Sequence, residues 1–437
     1  MQAKGPAPQS GDGAPDMTNL FRILGSAVLL GMGCPVQGAE AAAAEPVQHL
    51  AGWRGDGSGC FPGADPVLEW SLNPRKNVRW MTVMGPSHSS PIVAGDRVFV
   101  TAEPHHLLCL NKADGRVLWT RTNSFDDLPP GVAANLDADK KEPATLAGYT
   151  TPSPVADGRH VFVFLGTGIT ACYDYDGNRA WIVFLDYPQL STEGRAVSPV
   201  IAGGKLLAQP GCLVALDPNT GQTLWATPKG AIKGTHGTPL ALRIGDVEAV
   251  VSAAGDVVRL ADGKILAQKL GRLLYPSPIL KDRVLYLIGG MASAMELPGK
   301  AAEQMTADDF PERWSAKLEG VFYASPVCHD GLAYTVARDA RYTVLDAATG
   351  EIALQKVLDL PPAGSKADKP SVYPSVTVAG KYVFISNDAG DTVILEAGRE
   401  YKQIARISFG DGSSATPAFD GRDMFLRGAK TLYCIGR

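Results

Sequence analysis

The 437-residue sequence has no two adjacent cysteines, no Cys-x-x-Cys pair and no Cys-x-x-Cys-His run. Covalent haem attachment and the common zinc modules are thereby excluded. It also lacks a Gly-Lys-Ser/Thr phosphate loop, a Gly-x-Ser-x-Gly elbow and a Gly-x-Gly-x-x-Gly fingerprint after a strand pattern. There is no excess of positive charge: 41 Lys and Arg stand against 45 Asp and Glu, a formal net charge of -4. Nucleic acid is therefore not an expected partner, because phosphate binding needs a basic face. Long apolar runs are scarce as well. The one candidate, Ile23–Met32, is too short to span a bilayer as a helix.

That run belongs to an N-terminal extension, residues 1–41, set apart from the fold. Residues 1–16 are patternless, so translation begins at Met1 or Met17. Arg22, the apolar run and then Ala39-Glu40-Ala41 read as a secretory signal peptide with its cleavage site. Cys34 raises a lipid anchor, but Gly31 stands where a lipobox carries Leu, so no anchor is expected. The mature chain, 42–437, is expected to be secreted or periplasmic and monomeric.

What is abundant is turn chemistry. Gly 48 and Pro 32 together are about 18% of the chain, against roughly 12% on average. With 45% apolar residues, this points to many short strands around a real core rather than to helical bundles or doubly wound folds. One motif then recurs: Ser or Thr, usually Pro, a turn residue and an alternating apolar run. It begins at Ser90, Ser153, Ser198, Thr238, Ser277, Ser325, Ser375 and Thr416. Inside each unit four strand-like runs are separated by turns. The last turn takes the forms Asn111–Gly115, Asp217–Gly221 and Asp346–Gly350, where Gly supplies positive φ. The fourth run carries Trp119, Trp181, Trp225 and Trp314 in four of the units, while unit four has Ala267 there. Four antiparallel strands repeated at about 40 residues make a propeller blade. The last unit stops at Tyr433-Cys434-Ile435, and Asn77-Val78-Arg79-Trp80 matches its missing strand. The prediction is an all-β, eight-bladed β-propeller of four-stranded antiparallel blades, closed by an N-terminal strand.

The run Leu213–Trp225 resembles the pyrroloquinoline-quinone (PQQ)-like repeat, and His88-Ser89-Ser90-Pro91 with Thr431–Gly436 resembles a secreted bacterial subgroup of it. That family includes quinoprotein alcohol dehydrogenases and the propeller lipoprotein of outer-membrane β-barrel assembly. The resemblance covers nearly all of the mature chain and implies the fold. The quinoprotein branch would imply a quinone on the propeller axis with Ca²⁺, a catalytic carboxylate and often a vicinal disulfide. No Cys-Cys pair and no matching catalytic Asp segment occur here, so no cofactor and no metal are predicted, with PQQ plus Ca²⁺ kept as the minor reading.

The repeat also has bland features. Asp114, Asp217 and Asp346 are read as turn caps, the recurring Trp as interblade packing, and Cys109, Cys172 and Cys434 as small buried fillers. Adjacent His105 and His106 point to opposite strand faces and are poor co-ligands for a metal. The loops before the first strands should gather around the axis. They supply His88, Tyr149, Arg195, His236, Tyr275, Tyr323 and Tyr373. Loops between second and third strands add Glu103, Arg338, Asp339, Arg341, Asp388 and Asp391. Two readings of this ring stand open: wedges that plug the channel, or a funnel that binds a polar ligand, with Tyr faces for sugar rings and Arg195, His88 and His236 for hydroxyls or a carboxylate.

Two insertions break the period. Residues 123–148 follow the first blade and are placed to overhang the funnel. Residues 295–313 lie inside the fifth, with a short helix expected over 301–310. Both are candidates for partner recognition or plain solvated loops. The leading expectation is a noncatalytic binding scaffold for a protein partner or a polysaccharide. The alternative is an enzyme in the funnel, either a carbohydrate-active lyase or a PQQ-dependent oxidoreductase.

Overall fold

The computed structural model describes residues 51–137, 148–187, 195–233, 235–360 and 371–437. The expected signal peptide, Cys34 and part of the first insertion lie outside these. Eight four-stranded antiparallel blades follow one another along the chain, the seventh extended by a short parallel strand from the N-terminal side. Blade 1 is representative: Ile92–Ala94, Arg97–Ala102, His106–Asn111 and Val117–Thr122 pair in sequence order. The first strands of blades 2 to 7 neighbour one another in turn, and that of blade 8 neighbours that of blade 1. Blade 8 takes its outer strand from the N-terminal side: Val78–Val83 pairs antiparallel with Thr431–Ile435, Trp80 facing Cys434. The predicted closure is what the structure shows.

The Ser or Thr that opens every unit has a structural cause. The backbone N–H of Ser90 donates to Ser153 Oγ at 2.9 Å. Ser153 donates to Ser198, Ser198 to Thr238, Thr238 to Ser277 and Ser277 to Ser325. The chain of bonds goes on through Ser375 and Thr416, and Thr416 donates back to Ser90 Oγ at 2.9 Å. Eight hydroxyls thus form a closed belt, each blade satisfying a buried donor of its neighbour.

The outer strands are tied in a second way. Nε1 of Trp80, Trp119, Trp181, Trp225 and Trp314 each donates at 2.9 Å to a carbonyl in the last turn of the next blade, those of Lys112, Tyr175, Pro218, Leu260 and Ala347. Each indole lies on that turn's glycine. A Cβ on Gly115, Gly177, Gly221, Gly263 or Gly350 would sit 2.4–2.8 Å from it, and all five have φ between 72° and 84°. The glycine is required twice, for the backbone and for the indole. The turn Asp reading holds: Asp217 and Asp346 Oδ1 accept the backbone N–H of Asn219 and Ala348, and Asp114 accepts that of Arg116. Cys109, Cys172 and Cys434 are fully buried on third strands, and burial pushes each thiol up to about 12.

Blade 4 has Ala267 where the Trp is absent, and the second insertion fills that joint. Met305 and Phe310 are buried against Leu266, Ala267 and Leu297, and Met305 N–H donates to Leu266 O. Glu303 pairs with Arg259 and Lys264. The expected helix over 301–310 is a single 3₁₀ turn, Ala307–Asp309, because the segment is shaped by this packing. The first insertion packs Phe125 and Leu128 on Ile169 of blade 2 in its described part.

The segment before blade 1 is a strap. Ala51 bridges Ala156 of blade 2. Arg54 donates to Pro326 O and Val376 O of blades 6 and 7. Cys60–Phe61 then pairs parallel with Val378–Ala379. Blades 2 and 6 stand opposite each other in a ring of eight, so the strap crosses the axis on the strand side of the belt.

Candidate functional site

A cavity of about 610 Å³ occupies the axis, inside the size range of small-ligand sites. Its wall has a simple register. All eight belt residues line it, and so does the residue two positions earlier in every blade: His88, Thr151, Ala196, His236, Tyr275, Tyr323, Tyr373 and Ser414. Extended backbone turns side chains to alternate sides, so the residues between these two tiers, such as Ser89, Pro276 and Ala324, are buried away from it. Trp53 of the strap lines the floor, and Asp388 joins the wall from blade 7.

Six of the predicted ring residues therefore meet here: His88, His236, Tyr275, Tyr323, Tyr373 and Asp388. Tyr149 and Arg195 do not line the cavity. They lie four and three residues before their belt serine, out of register. Tyr149 stacks beside His105, with ring centroids 6.0 Å apart. Its N–H donates to Glu103 Oε1, which also accepts from Thr150. Arg195 is buried and donates to the carbonyls of Gly166, Asp186 and Tyr187. Burial lowers its guanidinium to about 10, against the pull of Asp186. Arg338 is exposed above Tyr323, its guanidinium carbon 5.8 Å from the ring centroid. Asp391 is buried and accepts from Ser408 Oγ. Trp53, Thr151, Ser413 and Ser414 escaped sequence reading. The offset of two from each belt residue would have found Thr151 and Ser414.

The wall is asymmetric. From blade 4 to blade 7 four rings run in contact: His236 on Tyr275 at 5.0 Å, Tyr275 on Tyr323 at 4.2 Å and Tyr323 on Tyr373 at 5.0 Å. Opposite them stand the small side chains of Thr151, Ala196 and Ser414. His88 Nδ1 accepts the N–H of Ser414 at 3.3 Å. Burial, with Arg427 nearby, holds His88 below its ordinary value, so the neutral ring is favoured. Asp388 is held above the usual carboxylate range by burial, opposed by Arg338.

Of the base, acid and charge neutraliser that a lyase needs, His88, His236 and the tyrosines share the wall, but Arg195 is spent on carbonyls elsewhere. A quinone with Ca²⁺ fits no better. Among the described residues the only carboxylate on the wall is Asp388, whereas Ca²⁺ takes about six to eight oxygen ligands, several from carboxylates. Among the described residues no three His, Cys, Asp or Glu side chains converge to hold a metal, and no helix is long and apolar enough to cross a membrane.

A 214-residue stretch is 27% identical to the outer membrane protein assembly factor BamB of Vibrio cholerae, covering 42% of this chain and 55% of that protein. The Yersinia pestis BamB is 28% identical over 191 residues, 41% of this chain and 44% of its own length. The chain thus spans about half the length of the curated relatives it matches. Among solved structures, BamB from Moraxella catarrhalis superimposes with a TM-score of 0.57 at 14% identity, over 82% of this chain and all of that one. The computationally designed Ika8 protein gives 0.56 at 11% identity, over 82% of this chain and 99% of its own. These two speak to the fold alone. A family model described as outer membrane protein assembly factor BamB matches residues 71–140, 144–271 and 304–436. The chain belongs to that family of PQQ-like propellers.

Proposed function

We propose that this protein is a noncatalytic binding scaffold of the bacterial cell envelope that holds a protein partner. The observation that carries the reading is family membership combined with a closed ring whose axial wall, among the described residues, carries no Lys or Arg beside its His, Tyr and Asp. The relatives are assembly factors by name, and a rigid ring suits such a task. The outer strands of blades 6, 7 and 8 support a protein partner. They are the outermost strands of their blades, and they expose Ile352 and Val357, Ile404, and Met81 and Val83. Val83 is 73% exposed and Val357 53%, the kind of apolar side chain that marks a docking surface when grouped. Secretion to the periplasm is part of the proposal.

The test is in-cell photo-crosslinking from positions 83, 357 and 404, followed by reconstitution with the purified crosslinked protein. The expected result is one dominant envelope protein whose binding falls about tenfold or more in Val357→Lys and Val83→Lys, roughly the 1.4 kcal/mol that a lost interface anchor costs. No crosslinked envelope protein from any of the three positions, or a turnover measured on an envelope substrate, would overturn the scaffold reading.

A further inference from the structure

The axial cavity carries chemistry that a scaffold does not need. Each of the eight belt hydroxyls accepts one backbone N–H. Among the described residues none of them donates its own proton to a protein acceptor, so the belt offers a ring of hydroxyl donors to whatever fills the cavity. The aromatic arc is equally suggestive. A wedge that only packs blades would serve as well as Phe. Here Tyr323 and Tyr373 are both half-buried on the wall, and their hydroxyls meet no protein partner among the described residues. Asp388 Oδ1 is buried and has no hydrogen-bond partner either. Among the described residues no Lys or Arg lines the wall. An anion would face the Asp388 carboxylate with no counter-charge among the described residues of the wall, and one carboxylate is a thin ligand set for a metal cation.

We propose that the cavity is a binding site for a neutral sugar, a mono- or disaccharide unit stacked on the Tyr275–Tyr323–Tyr373 arc with its hydroxyls bonded to the belt and to Asp388. Each part of the wall has a use in that arrangement. A pyranose presents an apolar C–H face, which suits an aromatic arc. Its hydroxyls both accept and donate. They accept from the Ser and Thr belt and donate to the unpartnered Asp388 oxygen, which removes a buried unsatisfied acceptor. Trp53 on the floor gives the site an intrinsic reporter. The inference goes beyond the scaffold reading and is independent of the outer-strand surface.

The experiment is a calorimetric and tryptophan-fluorescence titration of the full mature chain with cellobiose, maltose and, as the anionic control, digalacturonate. A neutral disaccharide should bind saturably with Kd about millimolar or tighter. Tyr323→Ala should weaken it about tenfold while Tyr323→Phe stays within about threefold, in line with the worth of one aromatic stack. Trp53→Phe should abolish most of the fluorescence change but not the heat. Melting temperatures of the variants separate loss of binding from loss of fold. Three results would overturn the proposal: no saturable response to either neutral disaccharide up to about 50 mM, tighter binding of digalacturonate, or unchanged binding in a folded Tyr323→Ala protein. Partner crosslinking from the outer strands is unaffected by Tyr323→Ala in every case, so the two readings fail separately.

Discussion

Trp119 shows how one side chain serves two blades. Its indole is buried, its Nε1 is satisfied by Tyr175 O, and its ring rests on Gly177. Trp119→Ala removes a large buried side chain and leaves Tyr175 O without its donor, so it should cost about 3–5 kcal/mol in urea unfolding. Gly177→Ala should damage the same joint from the other side, because a Cβ would stand 2.8 Å from the indole at φ 84°. An effect under about 1 kcal/mol for Trp119→Ala would mean that the interblade joint is soft. These residues were legible because their environment repeats, and a repeated environment leaves a repeated residue. His88 gives a prediction in pH. Its folded value is depressed, so the unfolded chain takes up a proton first as pH falls through about 6.5. The contribution is flat above that value, and stability is lost below it until the folded ring protonates. Denaturant midpoints between pH 7.5 and 5.5 should fall further for the native protein than for His88→Asn. Parallel slopes would contradict the assignment. Tyr149 and Arg195 lie near a belt serine but outside the offset of two that the pleat sets, so neither lines the cavity.

At the scale of elements, the insertion inside blade 5 and the strap change the meaning of two irregular stretches. A sequence that drops a Trp at Ala267 and adds a loop some 40 residues later records one event in two places, since Met305 and Phe310 occupy the joint the Trp left open. Phe310→Ala should therefore destabilise the protein by about 3–5 kcal/mol, measured by urea unfolding. A solvated loop would show no change. Alternating strands and glycine turns were readable because they obey local rules. The strap was not, since Ala51–Phe61 has no strand period and is held by scattered partners. Arg54 is an extreme case: it is fully buried, bonded to two carbonyls and lowered to about 10 by that burial. Arg54→Ala should free the crossing and speed proteolysis near residue 57, read by limited digestion, while leaving the outer strands intact. Unchanged digestion would show that strand pairing at Cys60–Phe61 alone holds the strap.

At the scale of the molecule, closure makes the rest coherent. A propeller that ended at Ile435 would present a three-stranded blade with an open edge. The strand Val78–Val83 covers it, and the eight-hydroxyl belt joins first blade to last. The ring then holds the aromatic arc in place on the inside and the apolar edges of blades 6 to 8 on the outside. The count of eight was legible from the Ser/Thr spacing. The axial cavity and the apolar outer strands were only half legible, because each is assembled from residues far apart in sequence whose common feature is position in the ring. The most direct measurement of closure is hydrogen–deuterium exchange on the intact chain. The hydrogen-bonded amides of Val78–Val83 and Thr431–Ile435 should exchange as slowly as those of the outer and third strands of blade 1, Val117–Thr122 and His106–Asn111, and all should be released in one cooperative step with urea. Exchange of Val78–Val83 at loop rates, or its release well before the other blades, would contradict the closed ring on which the account stands.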